Sequence, residues 1–195
     1  LAEDYIDETK TSNVASAVHV QAAIGSKDPV KETEWLQSAA DKHGFPQAII
    51  AYANLKDPQV EKTIEQHCEY KNMRGIRDFS FGDYLVDSDF HRGFSVLEKY
   101  NLIANVSVTL KDMEKLVILA DKFPNTKIVI DHCGFPEERS SEYFKKWQSS
   151  ISTAAKANNI ICKISGRSII ALLNSCLFIL IVLILPFIAC FADSI

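Results

Sequence analysis

The stretch FPNTKIVIDHCGFP, residues 123–136, decides the fold. Its centre, 128–131, is a short β-branched run with no room for a helical turn, which is the mark of a strand buried on both faces. It ends in Asp131 and His132 and then breaks at Cys133-Gly134-Phe135-Pro136. A fully apolar strand that stops at charged residues and a turn is the form taken by parallel strands in α/β proteins, where chemistry collects at the carboxyl ends.

The pattern repeats on both sides of that stretch. Upstream, short apolar runs at 17–22 (AVHVQA), 48–53 (AIIAYA), 73–77 (MRGIR) and 102–108 (LIANVSV) read as strands, and 160–164 (IICKI) follows downstream. Helical periodicity fills the intervals. Asp28-Pro29 supplies an N-cap and a first-turn proline, Val30, Thr33, Leu36 and Ala40 make an apolar stripe, and Gly44 is placed to end the helix. Asp57-Pro58 repeats that cap ahead of Val60 and Ile64. Further helices carry Phe90, Phe94 and Leu97, then Met113, Leu116 and Ala120, then Phe144, Trp147, Ile151 and Ala154. Six strands and five intervening helices in strict alternation imply a parallel sheet with right-handed crossovers. Periodicity alone leaves a doubly wound sheet and a barrel both open. No G-x-G-x-x-G or G-x-x-x-x-G-K-[ST] follows any strand, which counts against a nucleotide-binding sheet.

Charge and cysteine content narrow the class further. The chain has 195 residues, 24% of them charged, with a formal net charge of −4. The basic residues are scattered, so no nucleic-acid footprint is present. The five cysteines are odd in number and form no C-x-x-C, which argues against a disulfide framework or a structural zinc site.

The last segment has a different character. Residues 169–192 hold no charge, and sixteen of these 24 are Leu, Ile, Val or Phe. As a helix the run is about 36 Å long, enough for a hydrocarbon core of ~30 Å. Residues 1–166 therefore read as one barrel-type domain, and 167–195 as an apolar tail with a transmembrane candidate at 169–192. Lys163 and Arg167 on one side and Asp193 on the other place the N-terminal part in the cytosol. A translated intron gives the same composition, because Phe, Leu, Ile and Val share codons with a central U; the protein is then cytoplasmic.

At the strand ends stand Gln21, Tyr52, Asn54, Arg77, Asp78, Asn105, Ser107, Asp131, His132, Lys163 and Ser165. His132 is the sharpest catalytic candidate, since a histidine there can ligate a metal, polarise a carbonyl or move a proton. The planar fork of Arg77 suits a substrate carboxylate. Lys163 in an apolar strand is costly unless it faces a polar interior, and by alternation it shares a face with Ser165. Gln21 and Tyr52 complete the candidate substrate-binding set. Asp131 is expected to point away from His132, so no paired-carboxylate site is expected. His67 reads as a packing residue, and no Ser-His-Asp or Cys-His set follows from spacing.

Six segments occur in a fixed order: VHVQA (18–22), DPVKETEWLQSAADKHG (28–44), AYANL (51–55), RGIRDF (74–79), FPNTKIVIDHCGFP (123–136) and KISG (163–166). Together they resemble the amidohydrolase-related family often called amidohydrolase 2, which contains lactonases and other hydrolases of small acids. The resemblance implies a (β/α)8 TIM barrel of which strands two to seven are present. It implies that His132 matches the family's active-site histidine, that Arg77 matches a carboxylate-binding arginine, and that Lys163 lies in the seventh-strand motif. It also implies a divalent metal, zinc or manganese, in the complete protein, with His132 as one ligand. The family's His-x-His pair and its eighth-strand aspartate have no match here. The expectation is a lactonase-like hydrolase that is inactive as this fragment, or else a membrane-tethered non-catalytic barrel module; its partner is a small molecule and not nucleic acid.

Overall fold

A computed structural model describes residues 2–12, 14–22, 27–80, 82–138 and 140–164. Six strands form where apolar runs predict them: β1 Val18–Val20, β2 Ala48–Tyr52, β3 Met73–Arg77, β4 Ile103–Val106, β5 Ile128–Ile130 and β6 Ile160–Cys162. Between them lie α2 Pro29–His43, α3 Val60–Cys68, α4 Ser88–Lys99, α5 Met113–Lys122 and α6 Ser141–Ala154, and α1 Ala2–Thr9 precedes β1.

All neighbouring strands are parallel, and their order in the sheet is β1-β2-β3-β4-β5-β6. That order settles the choice left open by periodicity. A doubly wound sheet reverses its strand order at a switch point. Here each crossover places the next strand on the same side, which is how a barrel wall is built. The result is a curled, six-stranded parallel half-barrel with helices on its outer face.

The local signals behave as their chemistry requires. The Asp28 carboxylate accepts from the Val30 N–H at 3.1 Å, and Gly44 closes α2 at φ 77° with its N–H on the Ala40 carbonyl. The second Asp-Pro differs. Asp57 accepts from the Gln59 N–H at 2.8 Å in a local turn, and α3 begins one residue later at Val60. An aspartate that satisfies its own turn is not available as the helix cap.

The sheet has two unlike faces. Ile49, Ala51, Ile76, Ala104, Val106, Ile128, Ile130 and Ile160 join Phe90, Phe94, Leu97, Leu116 and Trp147 in one continuous core against the helices. The alternate positions, Ile50, Asn105, Val129 and Ile161, are also buried but lie outside that core. They line the concave side. Gly93 lets α4 approach closely, since a Cβ there would stand 1.9 Å from the Leu55 carbonyl oxygen.

Among the described residues no helix is long and apolar enough to cross a membrane. The longest, α2, has 15 residues and carries charges throughout, against the ~20 apolar residues that a span requires. The expectation of a single-pass membrane protein is corrected accordingly. Its proposed anchor, 169–192, lies outside the described residues.

Candidate active site

The carboxyl ends of β3 to β6 converge on one carboxylate. Asp131 follows β5 directly and is 0% exposed. Lys163, one residue past β6, places Nζ 2.6 Å from its Oδ1. Asn105 on β4 donates from Nδ2 to the same oxygen at 3.2 Å. Arg77, the last residue of β3, brings Nε to 2.8 Å from Oδ2. That last contact is an ion pair without hydrogen-bond alignment, since neither atom meets the angular requirement of a hydrogen bond.

The register explains the convergence. Arg77 pairs with Asn105, Asn105 with Val129, and Ile130 with Cys162, so Asp131 and Lys163 continue the ladder as direct neighbours. All four side chains then fall on the concave face. Asp131 is the residue that sequence reasoning missed. It stands among the strand-end residues and is expected to point away from His132; it shares the parity of Val129, which lines the concave side. Alternation within each strand was legible; the register that sets Asp131 beside Lys163 and Asn105 was not.

Arg77 is held on three sides. Besides Asp131, Nη1 donates to the Gln21 carbonyl at 2.8 Å, and the guanidinium carbon lies 4.3 Å from the centre of the Phe79 ring. Gln21 itself is buried, and its N–H donates to Ile50 O at 2.9 Å, which fixes it beside β2. Tyr52 is the register partner of Arg77, and its ring centre lies 6.1 Å from that of Phe79. Burial, with a smaller contribution from the charge of Asp78, holds the Tyr52 phenol above its usual range.

His132 occupies the same strand end in an unusual backbone. His132, Cys133, Gly134 and Phe135 all have positive φ, at 50°, 56°, 72° and 47°. A left-handed turn in which three of four residues carry a Cβ costs roughly 1–2 kcal/mol for each of them. Strong partners hold it in place: Cys133 N–H donates to Lys163 O at 3.0 Å, and the Trp147 indole donates to Cys133 O at 2.8 Å. The His132 ring packs edge-to-face on Phe135 at 4.9 Å between centres. Strain retained at a strand end in this way is characteristic of functional positions.

Other titratable groups nearby are structural. His67 is fully buried; Nε2 donates to the Tyr52 carbonyl at 3.0 Å and Nδ1 accepts from the Thr33 hydroxyl at 2.9 Å. Burial lowers its pKa, which favours the neutral ring. Asp78 accepts from the Leu55 N–H and the Ser80 hydroxyl, both at 2.8 Å, while burial raises its pKa. The buried Tyr84 phenol donates to Ser107 O at 2.9 Å. The Cys162 thiol is pushed far up by its hydrogen-bonded neighbour Cys133 and by burial, which makes it a poor nucleophile. Ser165 lies outside the described residues.

A cationic cluster around one buried carboxylate, beside a strained histidine, stands at the carboxyl ends of parallel strands, where α/β barrels carry their active sites. A family model described as Amidohydrolase matches residues 2–193, and the chain belongs to the amidohydrolase family. That match continues through the segment assigned to a membrane anchor. It gives no support to an inactive or membrane-tethered fragment.

Two curated relatives extend the comparison. An uncharacterized protein of Sinorhizobium fredii, y4mH, is 35% identical over 178 residues, which is 85% of this chain and 60% of that protein. An L-fucono-1,5-lactonase of Burkholderia ambifaria is 25% identical over 155 residues, 77% of this chain and 53% of that protein. The chain thus spans between 53% and 60% of the length of these relatives. Among solved structures, an amidohydrolase of Burkholderia multivorans with bound zinc shares the fold at TM-score 0.70 and 18% identity, over 98% of this chain and 80% of that one. A probable 2-pyrone-4,6-dicarboxylic acid hydrolase of Acinetobacter baumannii, with citric acid bound, does so at TM-score 0.55 and 14% identity, over 86% and 74%. A 5-carboxyvanillate decarboxylase of Novosphingobium aromaticivorans, complexed with manganese, does so at TM-score 0.61 and 13% identity, over 88% and 66%.

Two of these structural neighbours hold zinc or manganese, but the described residues of this chain do not fit such an ion. No three His, Cys, Asp or Glu among them are grouped to hold a metal. The one carboxylate at the centre, Asp131, already faces two cations.

Proposed function

We propose that the protein is a hydrolase that opens a lactone or a closely related small ester whose product is a carboxylate. One observation carries the reading: Arg77 and Lys163 meet at Asp131 on the concave face, in a chain whose family includes an L-fucono-1,5-lactonase among its matches. Lactone opening adds water to the carbonyl carbon and breaks the ring C–O bond. The ring oxygen leaves as a hydroxyl, taking a proton, and the acid formed gives up one proton to solvent. Negative charge develops first on the carbonyl oxygen and ends on the carboxylate. A fixed cationic site stabilises both.

In this reading His132 is the catalytic residue and polarises the carbonyl or moves the proton. Arg77 and Lys163 bind the oxygen atoms that gain charge, and Gln21 and Tyr52 shape the wall beside them. Release of protons from aldono-1,5-lactones, followed with a pH indicator on the full chain, tests it. His132→Asn is expected to lower kcat by at least 100-fold with KM little changed, and Arg77→Met to raise KM at least tenfold. Lactone opening that both variants leave untouched overturns the assignment.

A further inference from the structure

We infer that Asp131 is the residue that sets the charge of the accepted ligand, limiting the site to one negative charge. This rests on the concave face being the substrate site, as proposed above. Among the described residues the charged side chains that meet there are Arg77, Lys163 and Asp131. Two cations and one carboxylate leave a net charge of +1. Asp131 is fully buried and Arg77 is 11% exposed, so bulk solvent does little to screen this balance, while Lys163, at 27%, is the more open of the two cations.

Each oxygen of Asp131 is engaged by a different cation: Oδ1 by Lys163 and Oδ2 by Arg77. Part of the charge of each cation is therefore already balanced by Asp131. A single ligand carboxylate placed on the open side of the pair completes the charge balance. A second has no uncompensated cation to meet and faces Asp131 instead. The site is thus matched to a neutral lactone that develops one negative charge and leaves as a monoanion, and it is mismatched to a dicarboxylate. Asp131 touches no reacting atom in this scheme. It is a positioning residue that acts through Arg77 and Lys163.

Calorimetric titration of the full chain with D-gluconate, D-glucarate and D-gluconamide, which carry one, two and no negative charges, tests this. The wild type is expected to bind gluconate at least as tightly as glucarate. Asp131→Asn, which raises the local charge to +2, is expected to shift the glucarate-to-gluconate affinity ratio at least tenfold toward glucarate, and Asp131→Glu to restore the original ratio. Lys163→Gln, which lowers the local charge to zero and leaves Asp131 in place, is expected to lower the gluconate-to-gluconamide ratio at least tenfold; it serves even where Asp131→Asn does not fold. A wild type that prefers glucarate tenfold, or ratios unchanged in the variants while the anions still bind, overturns the role of Asp131 and leaves the site assignment standing. No binding of either anion to any form of the chain overturns the site assignment itself, and this inference with it.

Discussion

The two faces of the sheet are made from the same six strands but follow opposite rules. On the outer face Ile49, Ile76, Ala104, Ile128 and Ile160 pack against Phe90, Phe94 and Leu97. On the concave face, moving one residue along each strand replaces this with Arg77, Asn105, Asp131 and Lys163 at the carboxyl ends. The first face gains stability by removing apolar surface from water, at about 25 cal/mol per Å². The second holds buried charges whose mutual attraction barely offsets their desolvation. A one-residue register slip would exchange the two faces, which is why the ladder from Arg77 through Asn105 to Val129 matters to function as well as to fold.

The contrast breaks most sharply at Phe94. This ring is 0% exposed and lies 5.7 Å from Phe90 and 4.9 Å from Phe123, centre to centre. Phe94→Ala is expected to lower the free energy of unfolding by about 3–5 kcal/mol, through lost burial and the cavity left behind. A denaturant titration measures it. A loss below ~1 kcal/mol would mean that the outer face is not the main source of stability.

His67 sharpens the comparison at an intermediate scale, because it is a polar group within the outer layer. Its folded pKa is depressed below the ordinary value of 6.5, chiefly by burial. The unfolded chain therefore takes up a proton first. The stability that His67 contributes is complete above pH 6.5 and is lost as pH falls below it. The wild type is expected to lose stability between pH 7 and 5.5, by at most about 1.2 kcal/mol for one group that is protonated only in the unfolded chain. Asp78, whose pKa burial raises, has the opposite sign: its contribution is complete below 3.8 and declines as pH rises. His67→Gln keeps a donor and an acceptor but cannot titrate, so its melting temperature should vary less with pH over that interval. Parallel pH profiles for the two proteins would remove His67 from the explanation.

The sequence shows the outer face far better than the concave one, and the reason is physical. Hydrophobic burial is additive along a strand, so runs such as 48–53 and 128–131 declare themselves locally. The strand β5 and the caps at Asp28 and Gly44 fall where local chemistry puts them. Helix α1 escaped because its apolar stripe, Ala2, Tyr5 and Ile6, is short and none of its residues is fully buried. Arg77 and Lys163 were visible as charges at strand ends, but their meeting at Asp131 depends on strands 26 and more residues apart. Such a contact requires the strand order β3-β4-β5-β6, and periodicity does not supply strand order. The left-handed turn at His132 was hidden for a related reason. Only Gly134 in it announces positive φ, and the partners that impose the conformation on His132 and Cys133 come from Lys163 and Trp147.

The smallest expected effect on stability falls where the largest effect on activity is proposed. His132 is an L-residue at φ 50°, a conformation that glycine adopts without steric cost. In His132→Gly, relief of roughly 1–2 kcal/mol of backbone strain opposes the loss of ring packing on Phe135 and the greater entropy of glycine in the unfolded chain. The net change in unfolding free energy is expected to stay within about 1 kcal/mol of zero, while lactone opening is lost. The two measurements together separate a strained functional residue from a packing residue. A variant destabilised by more than ~2 kcal/mol would place His132 with the outer face, as a side chain kept for the contacts it makes, and would remove strain at this strand end as a sign of chemistry.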